Sequence, residues 1–209
     1  MFLTEGEIYH IFNRGNNKQP IFFAPENYLY FLSKIDRYLT PCCDLLAWCL
    51  MPNHFHLLIH ANTISTIIIK DGSFGRQQFS QGIKQLLSSY TKAINTQEKR
   101  TGSLFQQKTK AICVDKNDHA LTAFHYIHQN PLRAGLVKKM EDWPHSSFSE
   151  YLGSRKSICN IGLATELFAL NPSRFYGDSY NAINFNTGDF DWLLVRCPTP
   201  KRCRTNSLI

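Results

Sequence analysis

Two apolar runs joined by a Pro-Asn dipeptide restrict the fold of this chain more than any other feature. Residues 45–51 and 54–60 each have the length of a strand, and Pro52-Asn53 is a turn sequence. We therefore predict an antiparallel hairpin. Side chains alternate between the faces of a strand, so His54 and His56 should project from one face. The opposite face should carry three apolar residues, Phe55, Leu57 and Ile59.

A pair of histidines on one strand face has two interpretations. Imidazole is the commonest side-chain metal ligand, and two of them on one face can share an ion. Histidine is also often half-buried for purely structural reasons. Two histidines on one strand, with no other evidence, are more often structural residues than metal ligands. The pair by itself leaves both interpretations open.

A second polar pair lies on a predicted helix later in the chain. The apolar residues between Asp118 and Pro131 recur at helical spacing, which predicts a helix that ends near Pro131. Tyr126 and Asn130 are four residues apart and therefore share one face of this helix, away from its apolar stripe. A tyrosine and an amide on one face are candidates for a reactive site.

The remaining elements predict an α+β fold. Residues 8–14 alternate as a strand does, residues 25–39 form an amphipathic helix, a second helix covers residues 79–94, and residues 104–114 form a strand. The order β-α-β-β-α-β-α favours an antiparallel sheet with helices packed on it, of the ferredoxin-like type. Periodicity alone does not establish contact between the histidine strand and the tyrosine helix.

Several short stretches, in order along the chain, resemble one known family. They are Tyr9-His10-Ile11-Phe12-Asn13-Arg14-Gly15-Asn16, Trp48-Cys49-Leu50-Met51-Pro52-Asn53-His54-Phe55-His56-Leu57-Leu58, Gly102-Ser103-Leu104-Phe105-Gln106, Tyr126-Ile127-His128-Gln129-Asn130-Pro131-Leu132-Arg133-Ala134-Gly135-Leu136-Val137 and Trp143-Pro144-His145-Ser146-Ser147-Phe148. This pattern resembles the IS200-like single-tyrosine HUH transposases, and within them the REP-associated tyrosine transposases.

The resemblance implies a site and a reaction. His54, His56 and Asn130 would bind a divalent metal ion, and Tyr126 would be the nucleophile that forms a 5′-phosphotyrosine bond and releases a 3′-hydroxyl. Two imidazoles and an amide oxygen leave coordination positions open, which suits Mg²⁺ or Mn²⁺ better than a closed structural zinc. The expected substrate is single-stranded DNA with hairpins, such as REP-like elements or insertion-sequence ends, which the enzyme would cleave and rejoin.

Charge is compatible with a nucleic-acid partner. Lys plus Arg number 23 against 16 Asp plus Glu, a formal net charge of +7. A basic surface favours nucleic acid, although an excess of this size is common among other soluble proteins. We expect four residues to contact DNA: Arg14 and Arg133 within the family-like motifs, and Lys108 and Lys110 on the predicted strand. For each lysine the alternative is an ordinary solvated surface position.

We predict two parts, a catalytic domain over residues 1–152 and a C-terminal extension over residues 153–209 that ends in a flexible basic tail. The IS200-like relatives are dimers that share tyrosines between subunits, whereas the REP-associated branch includes monomers. The extension favours a monomer over a homodimer. No stretch approaches ~18 uninterrupted apolar residues and the N-terminus does not resemble a signal peptide, so a cytoplasmic location is expected. The seven cysteines match no usual zinc pattern, so reduced thiols are expected.

Three functional hypotheses follow. The first is a tyrosine transposase of the kind described. The second is an inactive or domesticated descendant that only binds nucleic-acid hairpins. The third is an unrelated metal-dependent phosphodiesterase in which water attacks and Tyr126 only packs. His10 is among several polar residues near these motifs, for which a structural role is the default.

Overall fold

The computed structural model describes residues 1–71, 74–114, 118–154 and 156–182. In chain order the elements are β1 (Ile8–Arg14), α1 (Pro25–Tyr38), β2 (Asp44–Met51), β3 (His54–His60), α2 (Thr63–Thr66), β4 (Ile68–Asp71), β5 (Phe74–Gln77), α3 (Gln78–Gln97), β6 (Lys110–Val114), α4 (Asp118–Arg133), α5 (Phe148–Tyr151), α6 (Ile161–Leu167) and α7 (Phe175–Asn181). Short 3₁₀ turns occur at Asn16–Lys18, Thr40–Cys42 and Met140–Asp142.

The central sheet has four strands in the order β2-β3-β1-β6, and every neighbouring pair is antiparallel. Helix α1 connects β1 to β2, which lies on the far side of β3, and α3 connects β3 to β6, which lies on the far side of β1. Each connection is therefore a split β-α-β unit, the arrangement of a ferredoxin-like fold. The α+β prediction and the hairpin across Pro52-Asn53 are confirmed.

The two faces of the sheet carry separate buried clusters. The first cluster packs α1 and α3 on the sheet, and it includes Phe31, Leu57 and Tyr90. The second cluster lies on the opposite face and packs α4 on the sheet, and it includes Leu58 and Ile127. Because β3 alternates between the two faces, its odd-numbered residues face the first cluster and its histidines face α4.

Helix α4 continues past the point where the sequence predicts its end. Pro131 lies inside the helix, which extends to Arg133. A proline lacks the backbone N–H and disfavours the preceding turn, but it does not prevent the residues after it from staying helical. Two residues beyond the end of the helix, Gly135 has a φ of 69°, and Leu136 N donates to Pro131 O at 3.0 Å. A glycine with positive φ is the usual end of a helix.

The strand predicted for residues 104–114 is shorter in the structure, where β6 covers Lys110–Val114 only. The backbone of the preceding segment pairs with the end of β1 at a bridge between Gly15 and Phe105, with hydrogen bonds from Gln106 N to Arg14 O at 2.9 Å and from Asn16 N to Leu104 O at 3.0 Å. Residues 107–109 leave this pairing. The alternation that a continuous strand would impose on Lys108 and Lys110 is therefore broken.

The described part of the C-terminal extension packs on α4. Ala164, Phe168 and Phe175 belong to the same buried cluster as Phe124 of α4. Helix α6 ends at Leu167. The division at residue 152 stays a prediction, and the expected flexible basic tail lies outside the described residues. Among the helices that the structure describes, none is long and apolar enough to span a membrane.

Candidate functional site

His54 and His56 lie side by side on the α4 face of the sheet. Their ring centroids are 4.8 Å apart and the ring planes are nearly perpendicular, at 89°. Both side chains are almost fully buried, with 1% and 0% of their surface exposed. The turn at Pro52-Asn53 fixes the register of the hairpin, and this register places both rings toward α4.

Each of these histidines has a hydrogen-bond partner at its Nδ1 atom. His54 Nδ1 lies 2.6 Å from Asn53 Oδ1, and His56 Nδ1 lies 2.8 Å from His10 Nε2. An amide oxygen can only accept, so His54 must donate from Nδ1 and keep the lone pair on Nε2. If His56 also donates from Nδ1, then His10 is the acceptor and both Nε2 atoms have a lone pair available for a metal ion.

Burial keeps these imidazoles neutral. Desolvation lowers the pKa of His56 from 6.5 to about 3, and it lowers the pKa of His10 well below its usual value, with the neighbouring His56 adding to the effect. The pKa of His54 is lowered well below 6.5 by desolvation first and then by His56, Arg14 and His10. Only a neutral imidazole binds a metal ion, so this environment suits a ligand role.

Helix α4 brings Tyr126 to the histidine pair. The Tyr126 ring lies 6.1 Å from the His56 ring in an edge-to-face arrangement, and only 6% of Tyr126 is exposed. Asn130 lies one turn later, also buried, and its Nδ2 donates to Tyr126 O at 3.2 Å. This bond uses the amide nitrogen and leaves Asn130 Oδ1 as an oxygen donor for a cation.

Three of the four basic residues predicted to contact DNA lie around this constellation. Arg14 pairs with His54 across β1 and β3. The Arg133 guanidinium is 5.9 Å from the Tyr126 ring centroid, and its Nε donates to Gln129 Oε1 at 3.0 Å. Lys110 Nζ lies 5.7 Å from the Phe12 ring centroid, and Phe12 pairs with His56 in the sheet. The structure thus combines a tyrosine, two imidazoles and several cations.

Lys108 lies elsewhere. It is exposed and lines a groove beside α3, on the side of the sheet that faces away from the histidines. The sequence predicted Lys108 and Lys110 on one strand, but β6 begins only at Lys110 and Lys108 lies outside it. Any contact of Lys108 with DNA would therefore occur outside the tyrosine site.

The residues present fit a divalent metal ion. The His56 Nε2 atom is buried and has no hydrogen-bond partner within the described part of the chain. A buried nitrogen of this kind is expected where an imidazole coordinates a metal ion. No group of three His, Cys, Asp or Glu side chains suited to a metal ion occurs among the described residues. The third ligand that the family resemblance implies, the amide of Asn130, is not one of these residue types.

Sequence reasoning did not connect His10 to the histidine pair. The contact depends on the register between β1 and β3, which places His10 opposite Leu58 and its ring beside that of His56, with centroids 5.0 Å apart. In the sequence, the alternation of residues 8–14 places His10 and Phe12 on the same face of a strand. This alternation predicts the face of β1 on which His10 lies, but it does not predict which residues of β3 it contacts.

Comparison with known proteins points to one family. No family model matches the chain. A curated protein of Haemophilus influenzae, named provisionally as a REP-associated tyrosine transposase, is 25% identical over 105 residues, which are 50% of this chain and 58% of that protein. The match thus spans less than two thirds of the relative's length.

Solved structures give a second comparison. A REP-associated tyrosine transposase bound to a REP hairpin matches with a TM-score of 0.55 and 16% identity, over 73% of this chain and 83% of that one. A bacterial tRNA(His) guanylyltransferase-like protein in complex with GTP matches with a TM-score of only 0.38 and 10% identity. The sequence match and the fold match name the same family, and they support the resemblance carried by the motifs.

Proposed function

We propose that this chain is an enzyme of the REP-associated tyrosine transposase kind, which binds a DNA hairpin and cleaves and rejoins single-stranded DNA beside it. The observation that carries the proposal is the position of Tyr126 against His56, with Asn130 one helical turn away. These residues come from β3 and α4, which are distant in sequence. Core packing alone does not require this combination of side chains at one place.

Tyr126 would attack the phosphorus atom of the scissile phosphodiester. A bond forms between the Tyr126 phenolic oxygen and phosphorus, the bond from phosphorus to the 3′-oxygen breaks, and the departing oxygen takes up a proton as a 3′-hydroxyl. The DNA end then remains on the protein as a 5′-phosphotyrosine. Because one phosphodiester replaces another, the reverse attack by a 3′-hydroxyl rejoins DNA without ATP.

His54, His56 and Asn130 are the residues that would hold a divalent ion, Mg²⁺ or Mn²⁺. When bound, such an ion polarises the phosphate and helps to orient the reacting groups. A tyrosine has an ordinary pKa near ~10 and is a weak nucleophile at neutral pH without such help. Asn53 and His10 hold the two imidazoles in place, and Arg14 and Arg133 are placed to attract phosphate oxygens.

We also propose that the site is complete within a single chain. Tyr126 packs against His56 of its own chain, so no second subunit is needed to bring the tyrosine to the histidines. This arrangement supports our proposal of a monomer. Light scattering coupled to size-exclusion chromatography tests it, and a stable dimer whose Tyr126 complements a partner lacking His56 would contradict it.

A covalent adduct is the test of the proposed chemistry. Labelled hairpin oligonucleotides from the DNA that flanks the gene are incubated with protein and Mn²⁺ and then separated on a denaturing gel. We expect a protein–DNA adduct that is lost with chelator and in Tyr126→Phe. Tyr176→Phe is the matched control, because Tyr176 is 45% exposed and its hydroxyl donates to Glu141 rather than lying beside the histidines.

The other outcomes identify the alternative functions. Hairpin binding that is independent of metal, with no adduct from any flanking hairpin, would favour a protein that only binds hairpins. Cleavage that persists in Tyr126→Phe would favour a phosphodiesterase in which water attacks. An adduct that persists in Tyr126→Phe would show that another residue is the nucleophile.

A further inference from the structure

A long groove of about 1310 Å³ runs along α3, on the side of the sheet opposite the histidines. One wall is a face of α3, and the other is the segment that precedes β6. Met1 and Phe2 close the end near the start of α3, where Ser80 Oγ donates to Met1 O at 2.6 Å. The other end lies where Asn95 Nδ2 donates to Gly102 O at 2.9 Å. The groove therefore follows α3 for most of its length.

The charge of this groove has one sign. Of the described residues that line it, none is acidic, and the basic ones are Arg76, Lys84, Lys92, Arg100 and Lys108. Lys84 and Lys92 are exposed on α3, and their separation of eight residues corresponds to about 12 Å along the helix. The remaining lining is rich in Ser, Thr, Asn and Gln side chains. A long groove that carries five cations and no acidic side chain among its described lining residues suits a polyanion with repeated phosphates.

An exposed aromatic side chain lies at the end of the groove. Phe2 is 74% exposed. Its neighbour Leu3 is anchored to Gln77 by two hydrogen bonds, from Leu3 N at 2.6 Å and to Leu3 O at 2.8 Å. Exposed aromatic rings beside a basic groove are the feature with which proteins stack unpaired bases.

The groove is connected to the tyrosine site around the edge of the sheet. Lys108 lines the groove, whereas Lys110 lies on the histidine face above Phe12. Asn13 fixes the segment between them, because its Nδ2 donates to Thr109 Oγ1 at 2.9 Å and to Gln106 O at 3.1 Å. Lys108 and Lys110 therefore place one cation on each face of the sheet at this edge.

We propose that this groove binds unpaired DNA strand that adjoins the hairpin, with phosphates along Lys84 and Lys92 and a base stacked on Phe2. The inference rests on the proposed function for the identity of the DNA, but the groove itself is separate from the tyrosine site. Bases on a single strand are available for stacking, whereas those of a duplex are not. The groove thus distinguishes the unpaired flank from the hairpin stem.

The test compares binding of two labelled DNAs by fluorescence anisotropy over a range of salt concentrations. One is a hairpin with an unpaired flank, and the other is the same hairpin without a flank. We expect Lys84→Gln/Lys92→Gln to weaken binding of the flanked hairpin about 25-fold at 0.1 M salt, because two contacts to single-stranded phosphates lower the salt slope by about 1.4. Binding of the unflanked hairpin should not change. Phe2→Ala should weaken binding of the flanked hairpin by about fivefold or more.

Matched variants control for net charge and for loss of an aromatic ring. Lys34→Gln/Arg37→Gln removes two charges from α1, and Phe23→Ala removes a ring that is 41% exposed, and none of these residues lines the groove. Equal losses in the groove and control variants would overturn the proposal, as would equal affinity of the wild type for the two DNAs. Tighter binding of an RNA of the same sequence would overturn the assignment to DNA.

The adduct assay separates this inference from the proposed function. If the wild type forms the adduct and the groove variants bind the flanked hairpin normally, the groove proposal fails and the proposed function stands. If no adduct forms but the groove variants lose affinity for the flanked hairpin, the groove proposal stands and the proposed chemistry fails.

Discussion

His10 offers a direct way to test whether the histidine site binds a metal ion. Its Nε2 lies 2.8 Å from His56 Nδ1, and its ring stacks on the rings of Phe12 and His56, with centroids 4.8 and 5.0 Å apart. A metal ion on His56 Nε2 requires the proton on Nδ1, and His10 is the group that accepts it. His10→Phe keeps an aromatic ring of similar size but removes the acceptor.

We expect His10→Phe to weaken Mn²⁺ binding about 10- to 100-fold, the usual effect of removing such a supporting group. This corresponds to about 1.4 to 2.7 kcal/mol. The same range follows from the hydrogen bond itself, because a buried N–H left without an acceptor costs about 1 to 3 kcal/mol. His10→Gln should retain most of the Mn²⁺ affinity, because the amide oxygen of the introduced glutamine can accept a hydrogen bond from His56.

Isothermal titration of Mn²⁺ into the protein without DNA measures this effect apart from catalysis. Tyr126→Phe is the control, because the phenol is not a proposed ligand and its loss should leave Mn²⁺ affinity near that of the wild type. The unfolding midpoint of each variant establishes that it is folded. A folded His10→Phe variant that binds Mn²⁺ as tightly as the wild type would refute the reasoning.

Three further predictions concern stability. Burial lowers the pKa of His128 from 6.5 to about 3, so the unfolded state gains the proton as pH falls below 6.5. From pH 7.5 to pH 5 this one residue should lower the free energy of unfolding by about 2 kcal/mol, and urea titrations of His128→Gln should show a correspondingly weaker pH dependence. Glu150 is buried and accepts from Trp48 Nε1 at 3.1 Å and Ser157 Oγ at 2.6 Å, so Glu150→Ala should lower the free energy of unfolding by about 3 kcal/mol or more in the same assay. Gly82→Ala should lower the melting temperature, because a Cβ there would collide with the backbone oxygen of Tyr38. A melting temperature equal to that of the wild type would show that α1 and α3 separate there without cost.

Much of the scaffold could be predicted from the sequence, because its elements have clear periodicity. The hairpin that carries His54 and His56 follows from local alternation and a turn, and so does the face on which both histidines lie. The end of α4 could not be predicted, because Pro131 is accommodated inside the helix. Local sequence determines elements more strongly than it determines where they stop.

The candidate site could not be predicted from local sequence patterns alone. Spacing places Tyr126 and Asn130 on one helical face, but only the family resemblance relates that face to the histidines. The contact of His10 with His56 and the position of Lys108 in the α3 groove depend on strand register and on an irregular segment, which no local pattern specifies. The roles of Tyr126, His54, His56 and Asn130 in metal binding and catalysis stay predictions.

The two buried clusters on opposite faces of the sheet have a consequence for how DNA enters the site. His56 has no exposed surface and Tyr126 has little, so we expect α4 to move when a phosphate reaches them. Such a movement disturbs the cluster around Leu58 and Ile127 and leaves the cluster beneath α1 and α3 intact. We therefore expect the half of the fold that contains α4 to open more readily than the half that packs α1 and α3 on the sheet. Backbone amides of α4 should consequently exchange with deuterium sooner than those of α3.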